Sequence, residues 1–292
     1  MTKRTLAIVT MVFNEGRQLP RWIRHYSRQV EALADLYVIN HGSTDGSIEL
    51  LPNGINIINL ERDDGKGLQT WRAKYVSDFA NKLQKKYNAV IYVDCDEYLV
   101  VDPGVASNLI DYINKQGIIS THSIGFDVLH ARITEPPLNN NLISEVRSKV
   151  QFVAAMCKPV IALDDCMVNW QSGFHVSNIK PTHGDLYLFH ARYADIDDGV
   201  NRLKITRALH RPETANCPVD HQKIDDKTYL GWIDSWINYP MSPEDITSKS
   251  GSISAFLAGF NYAKSPNEIY AFDYSFRSNK LYNIPNKFHG LF

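Results

Sequence analysis

Between Val93 and Tyr98 the chain reads V-D-C-D-E-Y: two aspartates one residue apart, with a glutamate beside them, closing the apolar run AVIYV. In an extended segment residues i and i+2 project to the same side, so Asp94 and Asp96 are expected to face one ligand. Carboxylates that close repel each other unless positive charge lies between them. A hard divalent cation answers this, and Mg²⁺ or Mn²⁺ suits an all-oxygen pair. Mg²⁺ takes few protein carboxylates and completes its shell with water and phosphate oxygens, so the pair predicts a metal-bound diphosphate. The competing account is a solvated turn, where aspartate is common. It is the weaker one here, because the pair follows a strong strand in the fourth position of an α/β alternation. Glu97 is either a partner behind the metal ligands or half of a structural ion pair.

Elements must bring such a site together. Leu6 to Val12, Leu36 to Ile39, Ile55 to Leu60 and Ala89 to Val93 are short apolar runs, as buried parallel strands should be. Between them lie helix signals. Pro20 fits a first helical turn, with Trp22, Ile23, Tyr26 and Val30 at helical spacing, and residues 67–86 carry a long amphipathic pattern. This alternation predicts a doubly wound α/β sheet, mostly parallel, with ligands outside the carboxyl ends of its strands. The polar clusters NEG, NHGSTDG, RDDGKG and DCDE fall at those ends and mark one cleft. Beyond residue 117 the alternation fades into strand-like runs, a polar loop (Glu135 to Ser148), and helix signals at Asp197 to His210 and Ser252 to Lys264. No long linker separates the halves. The chain is therefore read as one continuous domain, an α/β half over residues 1–117 packed with a second half over 118–292 that carries the C-terminal helices.

Composition narrows the function. The 292 residues are 44% hydrophobic, enough for a large core. A formal charge of -1, from 31 basic and 32 acidic residues, leaves no basic stripe for nucleic acid. None of the four cysteines forms a C-x-x-C pair, which argues against a zinc knuckle and suits a reducing compartment. The N-terminal apolar run, about eight residues, is short for a signal peptide or a membrane span. The reading is a cytoplasmic protein, compatible with peripheral attachment at the inner face of a membrane.

Three segments, in order, resemble family 2-type glycosyltransferases with the GT-A fold: TMVFNEGRQLPRWIRHY, VINHGSTDGS and VDCDEYLV, the last in a D-x-D-E-[FY]-L form. The likeness covers roughly residues 5–102 and continues more loosely through CKPVIAL, GFHVSN and LYLFHARYADID. It implies a GT-A-like, Rossmann-like sheet with a mixed, partly helical C-terminal extension. It also implies a nucleotide-sugar donor bound by residues 1–117, a divalent metal, and transfer to the hydroxyl of a saccharide, glycolipid or other acceptor met by residues 118–292, the acceptor-side half, with surface polysaccharide or glycolipid synthesis as the setting. On this resemblance Asn14 and Glu15 lie near the nucleoside, Asp45 shapes the turn beside it, and Asp94 and Asp96 hold the metal against the diphosphate. Many relatives have an acidic residue at the end of the second strand. Here Asn40 and His41 stand there, which opens the identity of the base, with UDP as first choice.

Glycosyl transfer needs a stabilised leaving group, alignment of two substrates and, for an inverting enzyme, a base. Arg147, Lys158 (in a K-P element) and Arg192 are candidate phosphate ligands, and Lys66 and Arg72 are similar candidates beside the nucleotide. Gln69 is a weaker one. Each of these cations has a plain alternative as a solvated surface charge. His190, in LFHARY, resembles the late histidine that many GT-A enzymes recruit as a metal ligand, with His175 second. Either could instead be a satisfied structural residue. Asp127 is the candidate base, with Glu145, Asp164, Asp165 and Asp185 competing; a retaining enzyme would need none. The late aromatic residues Trp232, Trp236, Tyr239, Phe256, Phe260 and Tyr262 suit core packing better than a sugar platform. Two rivals remain. One is a sugar-nucleotide nucleotidyltransferase, disfavoured by a single glycine in TMVFNEGRQ. The other is a non-catalytic transferase-like binding module, disfavoured by the intact D-x-D.

Overall fold

Every residue of β1, Leu6–Val12, is buried, because helices cover both faces of the sheet it centres. The computed structural model describes residues 3–62, 68–117, 119–209 and 222–292. After β1 come α1 (Leu19–Tyr26), β2 (Leu36–His41), β3 (Asn56–Leu60), α2 (Leu68–Leu83) and β4 (Ala89–Tyr92). β1 pairs in parallel with β2 and β4, and β2 with β3. The expected mostly parallel α/β sheet is therefore present. Pro20 opens α1, whose Leu19, Trp22, Ile23 and Tyr26 are buried against the sheet. Val30, expected on that helix, lies past its end. α2 covers the opposite face with Ala73, Val76 and Ala80.

The rest of the chain builds a second sheet. Its elements are β5 (Glu97–Val101), α3 (Leu109–Asn114), β6 (Ile124–Leu129), α4 (Ile143–Val146), β7 (Lys149–Val153), β8 (Ile161–Leu163), β9 (Leu186–His190), α5 (Ile196–Ala208), α6 (Asp226–Trp236), α7 (Ser252–Ala258), the hairpin β10 (Ala263–Lys264) with β11 (Tyr270–Ala271), and β12 (Arg277–Asn283). The strand orders are β3-β2-β1-β4-β8 and β12-β7-β6-β9-β5. The boundary expected at residue 117 does not divide the sheets. β5 precedes it yet joins the second sheet through β9, and β8 follows it yet closes the first sheet antiparallel to β4. One apolar core, including Leu6, Ile8, Leu99, Val101, Leu186 and Leu188, takes residues from both sheets. The helix expected over Ser252 to Lys264 stops at Ala258, and the loop expected over Glu135 to Ser148 contains the single turn α4. Gly125 on β6 is required by contact: a Cβ there would stand 2.2 Å from the backbone carbonyl carbon of Met156. Among the described residues, no helix is long and apolar enough to cross a membrane.

Candidate functional site

The Asp94–Glu97 segment is a turn, not a continuation of β4. Glu97 N–H donates to Asp94 C=O at 3.0 Å, and β5 starts at once on Glu97. Because the backbone turns here, the two aspartates meet different partners, and the expectation that they face one ligand together is corrected. Asp94 is held on three sides. Arg72, from the first turns of α2, and Tyr92 both donate to its Oδ1, the tyrosine at 2.9 Å, while Lys158 Nζ lies 3.4 Å from Oδ2. Burial opposes ionisation of Asp94, but Arg72 and Lys158 outweigh it and hold the carboxyl well below the usual range. Lys158 is itself buried and also bonds Glu97 Oε1, whose other oxygen accepts Asp94 N–H at 3.0 Å. Burial would discharge this lysine, yet Glu97 and Asp94 keep it charged. Lys158 and Arg72, expected on phosphate, are thus committed to carboxylates of the turn.

Asp96 points the other way. Its Oδ2 lies 3.3 Å from His190 Nε2 at the end of β9. The other ring nitrogen, Nδ1, donates to Asp127 Oδ1 at 2.6 Å. Burial would lower the pKa of His190, but Asp96 and Asp127 raise it to about 10. Asp96 in turn falls to about 2, since His190 more than offsets its burial. Asp127 is 1% exposed, and its second oxygen takes Arg277 Nη2 at 2.6 Å. With both oxygens committed and no face to solvent, Asp127 is not placed to accept a proton from an acceptor hydroxyl, which corrects the expectation of a base there.

The loops after β1 and β2 latch to each other beside this turn. Asn14 sits at φ 51°, its Oδ1 accepts Thr44 N–H at 2.7 Å, and its own N–H donates to Ser43 Oγ at 3.0 Å. Asp45 accepts Gly16 N–H at 2.9 Å and Ser47 Oγ–H at 2.6 Å. Asn40 is used inside the same loops, donating to Asn59 Oδ1 and accepting from Ser43 N–H, each at 2.9 Å. His41 stacks on Trp71 of α2 with centroids 5.1 Å apart. A cleft opens between the loop after β1 and α5, with Asn14, Glu15, Asp96, Arg192, Asp198 and Arg202 among its lining. Glu15 pairs with Arg202 at 3.0 Å; burial outweighs that arginine and raises the carboxyl to about 7.

Other candidates lie elsewhere. Arg147 is 3% exposed and donates to the carbonyls of Ala194, Pro136 and Val146, so it is a structural cation and the phosphate role expected of it is corrected. His175 bonds Ala155 C=O at 2.7 Å. Asp164 pairs with Arg4 and Asp185 with Lys249, both at 2.7 Å, and Glu145 caps α4 by accepting Leu142 N–H. Lys66 lies outside the described residues. The sequence reading missed Arg202, Asp198 and Arg277. Arg202 and Asp198 belong to a helix whose pattern signals only packing, and Arg277 belongs to a strand that periodicity did not reveal.

Among the described residues, no three His, Cys, Asp or Glu side chains are grouped so as to hold a metal ion. Asp96 with His190 still offers an oxygen and a nitrogen to one position. That mixed oxygen–nitrogen set fits Mn²⁺ better than the oxygen-preferring Mg²⁺, with water and phosphate oxygens supplying the rest.

No protein-family model matches this chain, and no curated protein matches it. Several solved structures resemble part of it. One is S. aureus TarS, at 12% identity over 55% of this chain and 47% of that one, TM-score 0.30. Another is the mannosyltransferase PcManGT of Pyrobaculum calidifontis, solved with GDP-Man and Mn²⁺, at 14% identity over 45% and 37%, TM-score 0.29. A third is the glucosyl-3-phosphoglycerate synthase of Mycobacterium tuberculosis, solved with Mn²⁺, UDP and glucosyl-3-phosphoglycerate, at 21% identity over 42% and 44%, TM-score 0.29. The match spans less than half the length of each of these chains, and at this level of likeness nothing about activity transfers.

Proposed function

We propose that this protein is a metal-dependent glycosyltransferase that moves a sugar from a nucleoside-diphosphate sugar, UDP-linked as first choice, to an acceptor hydroxyl. The observation that carries the reading is the placement of Asp96 and His190. They meet just past the carboxyl end of β4, where Asp96 also lines the cleft between the loop after β1 and α5. Asp96 and His190 would hold Mn²⁺ or Mg²⁺, which when bound offsets charge on the departing diphosphate. Asn14, Asp45 and Asn40 shape the nucleoside end through the latch between their loops. Arg192 and Arg202 line the diphosphate side. Arg72 and Lys158 act one layer back, keeping Asp94 ionised and the turn in place. Glu15, half-buried, lining the cleft and raised to about 7, is the carboxylate best placed to take a proton from an acceptor. The acceptor, a saccharide, glycolipid or other hydroxyl compound, would enter from the side of α5.

Calorimetric titration of UDP with and without Mn²⁺, on wild type and on Asp96→Ala, tests this. Metal-dependent binding that Asp96→Ala abolishes is the expected result. Binding of GDP, CDP or dTDP in place of UDP changes the base and keeps the reading. No nucleotide binding in the presence of Mn²⁺ overturns it. Nucleotide binding with no turnover of any sugar donor across a wide acceptor panel favours a non-catalytic binding module.

A further inference from the structure

Four polar residues stand side by side across the second sheet. Glu97 on β5 is in register with His190 on β9, His190 with Asp127 on β6, and Asp127 with Gln151 on β7. Residues in register project to the same face, so this is one continuous row. It runs at the end of a face otherwise lined by Leu99, Val101, Leu186 and Leu188. Glu97, Asp127 and Gln151 are at most 2% exposed. Arg277, on the outer strand β12, completes the row. One of its nitrogens bonds Asp127 Oδ2 at 2.6 Å and another bonds Gln151 Oε1 at 2.7 Å. Gln151 Nε2 donates to Ser278 C=O at 2.5 Å, which fixes the amide's orientation. The guanidinium lies over Trp236 at 4.4 Å from the ring centroid.

Burying such a row is costly compared with an apolar core of the same shape, and burial of the charged members more so. At the β5 end Glu97 holds Lys158 and the Asp94 N–H; from Asp127 to Arg277 the row converges on His190. Asp127 Oδ1 accepts from His190 Nδ1, so Nδ1 carries a proton and Nε2 is the nitrogen turned toward Asp96. Arg277 holds Asp127 by its other oxygen, and Gln151 holds Arg277, so neither carboxylate nor ring can rotate alone. An outer-layer carboxylate that fixes the tautomer and angle of a ligating histidine sets metal affinity.

We infer that Arg277, acting through Asp127, is a positioning residue that aims His190 Nε2 at the metal beside Asp96, so that β12, the strand nearest the C-terminus, tunes divalent-cation affinity at the D-x-D. The inference rests on the proposed glycosyltransferase reading, because it takes Asp96 and His190 as the metal's ligands. Nothing in it requires Arg277 to touch substrate.

The test is Mn²⁺ affinity, read from loss of the free-ion EPR signal in the presence of UDP. It compares wild type, Arg277→Met, Arg277→Lys, Asp127→Asn and His190→Ala, and the pair Arg277→Met with His190→Ala, with folding checked by circular dichroism. Arg277→Met and Asp127→Asn should each weaken Mn²⁺ roughly 10- to 100-fold. Arg277→Lys, which keeps the charge but loses the fork, should fall between wild type and Arg277→Met. In the His190→Ala background Arg277→Met should have no further effect, because its route to the metal has gone. Equal weakening in both backgrounds, or unchanged affinity in folded Arg277→Met and Asp127→Asn, overturns the positioning role and leaves the reading of the site intact. Wild type that binds no Mn²⁺ removes the reading and the inference together. If Arg277→Met does not fold, Arg277→Lys and Asp127→Asn carry the same comparison.

Discussion

Lys158→Met separates a cation that holds the turn together from one that waits for phosphate. Lys158 is 5% exposed and Glu97 2%, and they bond directly, while Asp94 lies 3.4 Å away on the other side. Methionine keeps most of the volume and removes the charge. Asp94 retains Arg72 and Tyr92, but Glu97, 2% exposed, loses the cation bonded to it. Breaking a buried pair this way costs about 3–5 kcal/mol. Against a typical domain stability of about 5–15 kcal/mol the loss is large but survivable. With a urea m-value of about 3 kcal/mol/M, the unfolding midpoint should fall by about 1–1.7 M. Removing both charges in Lys158→Met with Glu97→Gln should return more than half of that, since no unpaired ion remains and the cost of burying the pair also disappears. Urea titrations followed by tryptophan fluorescence and far-UV circular dichroism supply the numbers. A single variant with an unchanged midpoint, or a double variant no more stable than the single, would refute the argument and return Lys158 to the role of a phosphate ligand.

Two further predictions concern the frame. His25 is buried between the carbonyls of Leu99 and Leu291; burial outweighs those acceptors and lowers its pKa to about 4. A histidine depressed in the folded state is bound by protons more readily when unfolded, so its contribution rises with pH between about 4 and 6.5 and is lost as pH falls through that window. Between pH 7 and pH 5 it accounts for about 2 kcal/mol, and His25→Gln should reduce the pH-dependent loss of stability by that amount in urea titrations at the two pH values; an identical loss in wild type and variant defeats the assignment. Gly125→Ala drives a methyl into the Met156 backbone at 2.2 Å, so a loss of at least about 2 kcal/mol in the same titration is expected, and a neutral effect shows that residues 154–156 can shift away.

The sequence by itself determined the elements and the edge. LAIVTMV, LYVI, INIINL and AVIYV are short apolar runs separated by helix-period patterns, and local patterning of that kind dictates a parallel sheet with polar clusters at its carboxyl end. The D-x-D is legible for the same reason: it is contiguous and follows a strand. What surrounds each carboxylate was decided by tertiary structure alone. Asp94 and Asp96 look equivalent in sequence, yet the turn sends one to Arg72 and Lys158 and the other to His190. Lys158 arrives from 64 residues away, and Arg277 from a strand whose neighbour in space, β7, precedes it by more than 120 residues. Asp127 could be read equally as a base or as a support. The difference lies in two hydrogen bonds made by residues on β9 and β12, and no local pattern encodes which strands become neighbours. Spacing along the chain reports which residues can share a face. Charge balance in a buried site depends on which distant cation the fold delivers, and that is a property of the assembled sheets.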